Sequence, residues 1–271
     1  MTLPISTRSV SVPGARLHYE VRGSGPVLLL VGSPMAAAEF APLADALARD
    51  HTVVTHDPRG YAESTVDDPD AASTVEQRAD DVNAILDDLG VVSGDLFGSS
   101  GGAVTGLALV VRHPGRIRTL VAHEPPSLNV LPDAAQQRAN TEAIIDTFHR
   151  DGFAAGWLHF MRNAGFDVST DDAPELPPER SPDEVRQTAR FFDIDLRATC
   201  YYDPDIEGLL AGPTRVVIGV GEDSANLLTY PIATALAELL GSEPAVFPGD
   251  HGGFMGAPVE FADTLRKVLG H

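Results

Sequence analysis

The 271-residue chain is 43% hydrophobic and 21% charged, enough apolar material for one large globular domain with a substantial core. Thirty-nine Asp and Glu against nineteen Lys and Arg leave a net charge of −20, a surface that repels phosphate backbones and anionic membranes and argues against nucleic acid as a partner. Cys200 stands alone, which excludes an intrachain disulfide and a cysteine-rich metal site. The apolar runs VLLLV and LALVV are far too short to cross a bilayer. MTLPISTRSVSVPG shows no basic region followed by an apolar stretch, so a soluble cytoplasmic protein is expected.

RSVSV and RLHYEVRG flank PGA and predict an N-terminal hairpin. VLLLVGS (27–33) is a buried strand, AEFAPLADALARD (38–50) an amphipathic helix and HTVVTHD (51–57) a second strand. Residues 74–90 form a helix with Val75, Val82, Ile85, Leu86 and Leu89 on one face and Gly90 as its stop. GDLFG is a short strand, AVTGLALVVRH a helix ended by Pro114, and IRTLVAHE (117–124) a strand. Such alternation implies crossover units, hence an α/β fold with a mostly parallel sheet and helices on both faces.

After Glu124 the alternation stops. Residues 125–212 offer helices over roughly 133–150, 153–164 and 182–200, a Pro-rich acidic loop STDDAPELPPERSP, and no convincing strand. Nine of the seventeen aromatic side chains fall here, which suits a helical cap or lid over an apolar cleft, although most of them are expected to pack the insertion itself. The sheet resumes with TRVVIGVG (214–221), a helix over 229–240, AVFPG (245–249) and a final helix over 258–269. The expected organisation is a core of residues 1–124 and 213–271 with a cap of residues 125–212.

Gly98, Ser99, Ser100, Gly101 and Gly102 match G-x-S-x-G with Ser100 at the centre, where a strand must turn sharply into a helix. Small residues on both sides permit a strained turn that lifts the central hydroxyl, and the helix N-terminus favours developing negative charge there. Ser99 should point elsewhere. A serine hydroxyl needs a base, and FPGDHGGF places His251 on a loop past the last strand. Of the other histidines only His123, at a strand end, is placed to line the cleft.

These stretches resemble the α/β-hydrolase family over almost the full chain. VLLLVGSPM is similar to the strand and oxyanion turn H-G-x-P, HDPRGYAES to D-x-R-G-x-G-x-S, GSSGG to the nucleophile elbow, and PGDHGGFMGAPVEFADTL to the His loop with its closing helix. Val31 stands at the usual His position and Ala62 at the second Gly. The resemblance implies oxyanion donors from the backbone of Ser33 and Gly101; Pro34 has no N–H to offer.

The acid is ambiguous. The family's G-x-x-D, counted from Gly221, falls on Ser224, one residue past Asp223, and counted from Gly219 on Glu222. The family's second option, after the strand that follows the nucleophile helix, falls on Glu124, just before Pro125 and Pro126. Glu124 is preferred narrowly, with Asp223 as its rival.

The expected function is a serine hydrolase, esterase-like, cleaving an ester or related acyl bond of a small, largely apolar molecule, with Met35, Trp157, Phe160 and Phe192 as candidate substrate contacts. Cofactor-free haloperoxidase-like activity and C–C or lactone hydrolysis use the same groups. A non-catalytic binding protein on this fold is the alternative of another class, favoured by the missing G-x-x-D acid and disfavoured by Ser100 and His251. No metal site and no cofactor are expected.

Overall fold

The computed structural model describes residues 4–172 and 181–270; most of the expected Pro-rich loop, and His271, lie outside the described residues. The short β-rich runs form β1 (Ile5–Val12), β2 (Ala15–Gly23), β3 (Val27–Val31), β4 (Thr52–His56), β5 (Thr65–Val66), β6 (Gly94–Ser99), β7 (Ile117–His123), β8 (Arg215–Gly221) and β9 (Ala245–Phe247). They join one sheet in the order β1-β2-β4-β3-β6-β7-β8-β9, with β5 added to β2. The β1–β2 and β2–β4 pairs are antiparallel, and every pair from β4 to β9 is parallel. The expected mostly parallel sheet is present.

The helices are α1 (Ala41–Leu47), α2 (Val75–Asp88), α3 (Gly101–Arg112), α4 (Ala134–Asp151), α5 (Phe153–Asn163), α6 (Pro182–Arg190), α7 (Leu196–Cys200), α8 (Ile206–Ala211), α9 (Thr229–Leu239), α10 (Gly253–Gly256) and α11 (Pro258–Leu269). Thr74 caps α2 reciprocally with Gln77, each side chain taking the other's backbone N–H. One sheet face buries Val82, Ile85 and Leu86 of α2 with Leu107 of α3 and Leu236 of α9. The other buries Leu43 and Leu47 of α1 with Phe261 and Leu265 of α11. Helices on both faces explain why the central strands are continuous apolar runs.

Between β7 and β8 the described residues hold helices and turns. Leu128, Ile144, Ile145, Phe192, Leu196 and Cys200 form a core of their own that reaches the body through Ile232 of α9. The single helix expected over 182–200 is instead α6, a π-helical turn over Phe191–Asp195, and α7. The helix expected over 38–50 begins as a 3-10 turn, Ala37–Phe40, and Pro42 sits at the start of α1. Two-residue β5 and four-residue α10 are too short to show a period and were not expected.

Candidate active site

The strand order reverses direction between β3 and β6: from β3 the chain steps to β4 on one side, and from β6 to β7 on the other. Loops leaving the carboxyl ends of two such strands diverge, which opens a crevice for a ligand. Ser33 follows β3 and Ser100 follows β6, so both stand at this point.

Ser100 has φ 56° and ψ −122°, a strained backbone for a residue with a Cβ. Its neighbours show why the turn tolerates nothing larger. A Cβ on Gly98 would lie 2.5 Å from the Gly102 carbonyl oxygen, and one on Gly102 only 1.9 Å from that of Val31. The Ser100 N–H donates to the His123 carbonyl at 3.0 Å, which fixes the turn to the end of β7. Ser99 is fully buried and its Oγ has no hydrogen-bond partner, whereas Ser100 is half-buried.

Glu124, the next residue after β7, also has a left-handed backbone, with φ 49°. Its carboxylate is fully buried and filled with donors: the Gly221 N–H at 2.8 Å, the Thr229 hydroxyl at 2.7 Å and His251 Nδ1 at 2.7 Å. Burial alone would push this pKa up. The His251 hydrogen bond, the charges of His123 and His251 and the Gly221 N–H outweigh it and bring the pKa down to about 2. Glu124 is therefore a carboxylate at neutral pH, and it holds the Nδ1 proton of His251. The His loop is set by the loop after β8: Glu222 N–H bonds the Phe247 carbonyl and Asp223 N–H that of Gly249, at 2.9 and 3.0 Å.

Gly101 opens α3, so its N–H has no acceptor within the helix. The backbones of Gly101 and Ser33 are in contact, since a Cβ on Gly101 would meet the Ser33 carbonyl oxygen at 2.5 Å and Thr199 Cγ2 at 3.2 Å. The start of α3 thus packs directly on the loop that carries Ser33.

A family model described as the alpha/beta hydrolase fold matches residues 25–156. YraK of Bacillus subtilis (strain 168), an uncharacterized hydrolase, is 31% identical over 98% of this chain and 97% of its own. The chain belongs to the α/β-hydrolase family. Among solved structures, a thermophilic esterase from Thermogutta terrifontis superposes with a TM-score of 0.72 at 19% identity, covering 97% of this chain and 98% of that one. Carboxylesterase CesB (YbfK) of Bacillus subtilis does so with 0.68 at 17% identity, covering 99% and 92%.

The remaining expected site residues of this hydrolase divide. Asp223 is exposed and lies outside the Glu124–His251 pair; its ordered role is the backbone bond to Gly249. Met35, Trp157 and Phe160 are half-buried. Trp157 and Phe160 pack on one another and on Phe191, with centroids 5.3 to 6.3 Å apart. Phe192 is fully buried and stacked on Phe148 at 4.5 Å, so it fills the helical segment instead of facing a cleft. His123 is fully buried among Phe97, Phe247 and Phe261, with both ring nitrogens unpartnered, and therefore does not line an open cleft. Burial, with the charge of His251, depresses its pKa to about 4 against the opposing pull of Glu124. Burial raises the Cys200 thiol to about 12, which removes it as a nucleophile.

Three contributors escaped the sequence reading. Thr229 anchors Glu124 from α9, and Thr199 reaches Gly101 from α7. Arg78 interrupts the apolar stripe of α2 and donates to Ser33 Oγ at 2.6 Å. Only Arg78 left a sequence signal, a charge at a core-facing helical position. Among the described residues no His, Cys, Asp and Glu cluster could hold a metal ion, and no helix is long and apolar enough to cross a membrane.

Proposed function

We propose that this hydrolase cleaves a carboxylic ester or related acyl bond of a small molecule through an acyl-enzyme on Ser100. The observation that carries the reading is the 2.7 Å contact between Glu124 Oε2 and His251 Nδ1. With Nδ1 held by a carboxylate, Nε2 is the free base of the ring. It takes the Ser100 proton as Oγ attacks the carbonyl carbon, then delivers that proton to the departing alcohol. A water molecule repeats the sequence on the acyl-enzyme, releasing the acid and restoring Ser100. One water is consumed and one acyl bond broken, with no change of oxidation state.

The Ser33 and Gly101 amides hold the oxyanion of each tetrahedral intermediate, and loss of one such donor costs roughly 2.7–4 kcal/mol. The described helices between β7 and β8 act as the cap over the carboxyl edge of the sheet, a placement supported by the approach of Thr199 to Gly101. Met35, Trp157 and Phe160 then supply its apolar wall. The carboxylate missing from the G-x-x-D count is supplied by Glu124, which weighs against the binding-protein alternative.

The test is a fluorophosphonate probe together with p-nitrophenyl acetate. Wild-type protein is expected to be labelled at Ser100 and to release nitrophenolate. Ser100→Ala is expected to do neither, and labelling at another residue would overturn the assignment.

A further inference from the structure

Arg78 sits in the apolar stripe of α2 beside Val75, Ala79 and Val82 and is 4% exposed. Its Nη1 donates to Ser33 Oγ at 2.6 Å and to Thr199 Oγ1 at 3.0 Å, both neutral hydroxyls. Its Nε and Nη2 are buried without an acceptor.

The surrounding charges leave one cation of the cluster in excess. Arg59 directs two donors at Asp81, at 2.7 and 2.6 Å. Asp195 Oδ2 takes the Tyr61 hydroxyl at 2.5 Å and lies 3.7 Å from Arg190 Nε. Tyr61 stays neutral, because burial and the neighbouring Asp195 push its pKa well above 10. Three guanidinium groups thus share two carboxylates: Arg59 takes Asp81, while Arg78 and Arg190, both hydrogen-bonded only to uncharged groups, share the charge of Asp195. A buried cation with open donors is costly, and an acceptor carrying negative charge relieves the cost.

Position says what such an acceptor is attached to. Ser33 and Thr199, the two partners of Arg78, are also the residues against which Gly101 packs. Arg78 is therefore one side chain away from the proposed oxyanion amides. The protein's charge of −20 gives an anion no general attraction, so a bound anion needs a local cation such as this one.

We infer that Arg78 is a carboxylate receptor, and that the substrate carries an ionised carboxyl group joined by a short linker to the scissile carbonyl. This rests on the acyl-hydrolase reading above. Half-esters of short dicarboxylic acids have that chemistry: a neutral ester to cleave, and beside it a planar anion matched to a guanidinium fork.

The experiment compares methyl hydrogen succinate with methyl levulinate, a neutral ester of the same chain length, by methanol release. Wild type is expected to favour the half-ester in kcat/KM by at least about tenfold, the scale of one charge-assisted hydrogen bond. Its KM for the half-ester is expected to fall as salt screens the acidic surface, while that for methyl levulinate stays put. Arg78→Gln should erase the preference through KM, and Arg78→Lys should retain part of it. Should those variants fail to fold, wild type alone decides: succinate, unlike succinamide, slows fluorophosphonate labelling of Ser100. Equal rates on both esters with Ser100 labelled, and no protection by succinate, overturn the receptor and leave the acyl hydrolase standing. No labelling and no ester turnover at all would overturn both.

Discussion

Glu124 and His251 are separated by 127 residues, yet Glu124 Oε2 and His251 Nδ1 meet at 2.7 Å. The meeting is built by the sheet. Register pairs His123 of β7 with Gly219 of β8, so Glu124 emerges level with the end of β8, where Gly221 donates to its second carboxylate oxygen. The loops after β8 and β9 are hydrogen-bonded to each other, which carries His251 to the same place.

That arrangement predicts the outcome of exchanging the acid. Glu124→Gln loses the charge that holds the imidazole tautomer; in a serine protease the equivalent change lowers turnover about 10⁴-fold. Asp223→Asn changes an exposed side chain, while His251 Nδ1 is already held by Glu124, and turnover should stay within about threefold of wild type. Both are measured as kcat on p-nitrophenyl acetate after circular dichroism shows a folded protein. A crippled Asp223→Asn beside an active Glu124→Gln would reverse the assignment.

The two serines should separate as cleanly. Ser99 Oγ is buried without a partner, so Ser99→Ala is expected to keep activity and stability within about 1 kcal/mol of wild type. Ser100→Ala is expected to abolish ester hydrolysis and leave the melting temperature close to that of wild type, since alanine keeps the Cβ and with it the backbone strain of the elbow.

What the sequence made legible follows the physics of each feature. The elbow could be read because its crowding demands small residues at Gly98 and Gly102, and small residues are visible in a string. The acid could be narrowed only to two carboxylates, because the G-x-x-D count ends one residue from the exposed Asp223, while Glu124 was marked by the prolines that follow it. The break between α6 and α7 was hidden, because a π-helical turn leaves the apolar spacing on either side helical. Thr199 carried no signal at all: its hydroxyl matters only because the fold brings it to Arg78 across 121 residues.

Backbone geometry yields a pair of stability predictions. Ala62 has φ 46°, a conformation that costs an L-residue about 1–2 kcal/mol and that glycine adopts freely, at an entropic cost of roughly 0.5–1 kcal/mol. Ala62→Gly should therefore be neutral or stabilising by up to about 1 kcal/mol, or roughly 2 °C in melting temperature. Gly102→Ala must fit a methyl 1.9 Å from the Val31 carbonyl oxygen in a helix packed on the sheet, and is expected to prevent soluble expression or to lower the melting temperature steeply. A folded, active Gly102→Ala would mean that α3 does not sit this close to β3.

Acid should act on the fold through two buried histidines before it reaches the carboxylates. Burial depresses both His56 and His123 to about 4 from an ordinary 6.5. Below pH 6.5 the unfolded chain takes up protons that the native state refuses, so stability is fully present above 6.5 and falls toward pH 4, each ring costing on the order of 3 kcal/mol by then. Glu124 belongs to a lower window. Its pKa of about 2 lies below the ordinary 4.5, so its contribution is intact above 4.5 and is lost only as pH falls through 2. His123→Leu separates the terms, because the ring packs among Phe97, Phe247 and Phe261 and gives up no hydrogen bond when replaced. At pH 8 the variant should unfold in urea within about 1.5 kcal/mol of wild type, the usual cost of a volume-conserving core exchange. At pH 5 it should gain roughly 2 kcal/mol on wild type relative to that difference, the linkage expected for removing one such histidine. Parallel stability curves for the two proteins between pH 8 and pH 5 would show that His123 titrates alike in the folded and unfolded chains, and that its burial does not carry the acid sensitivity.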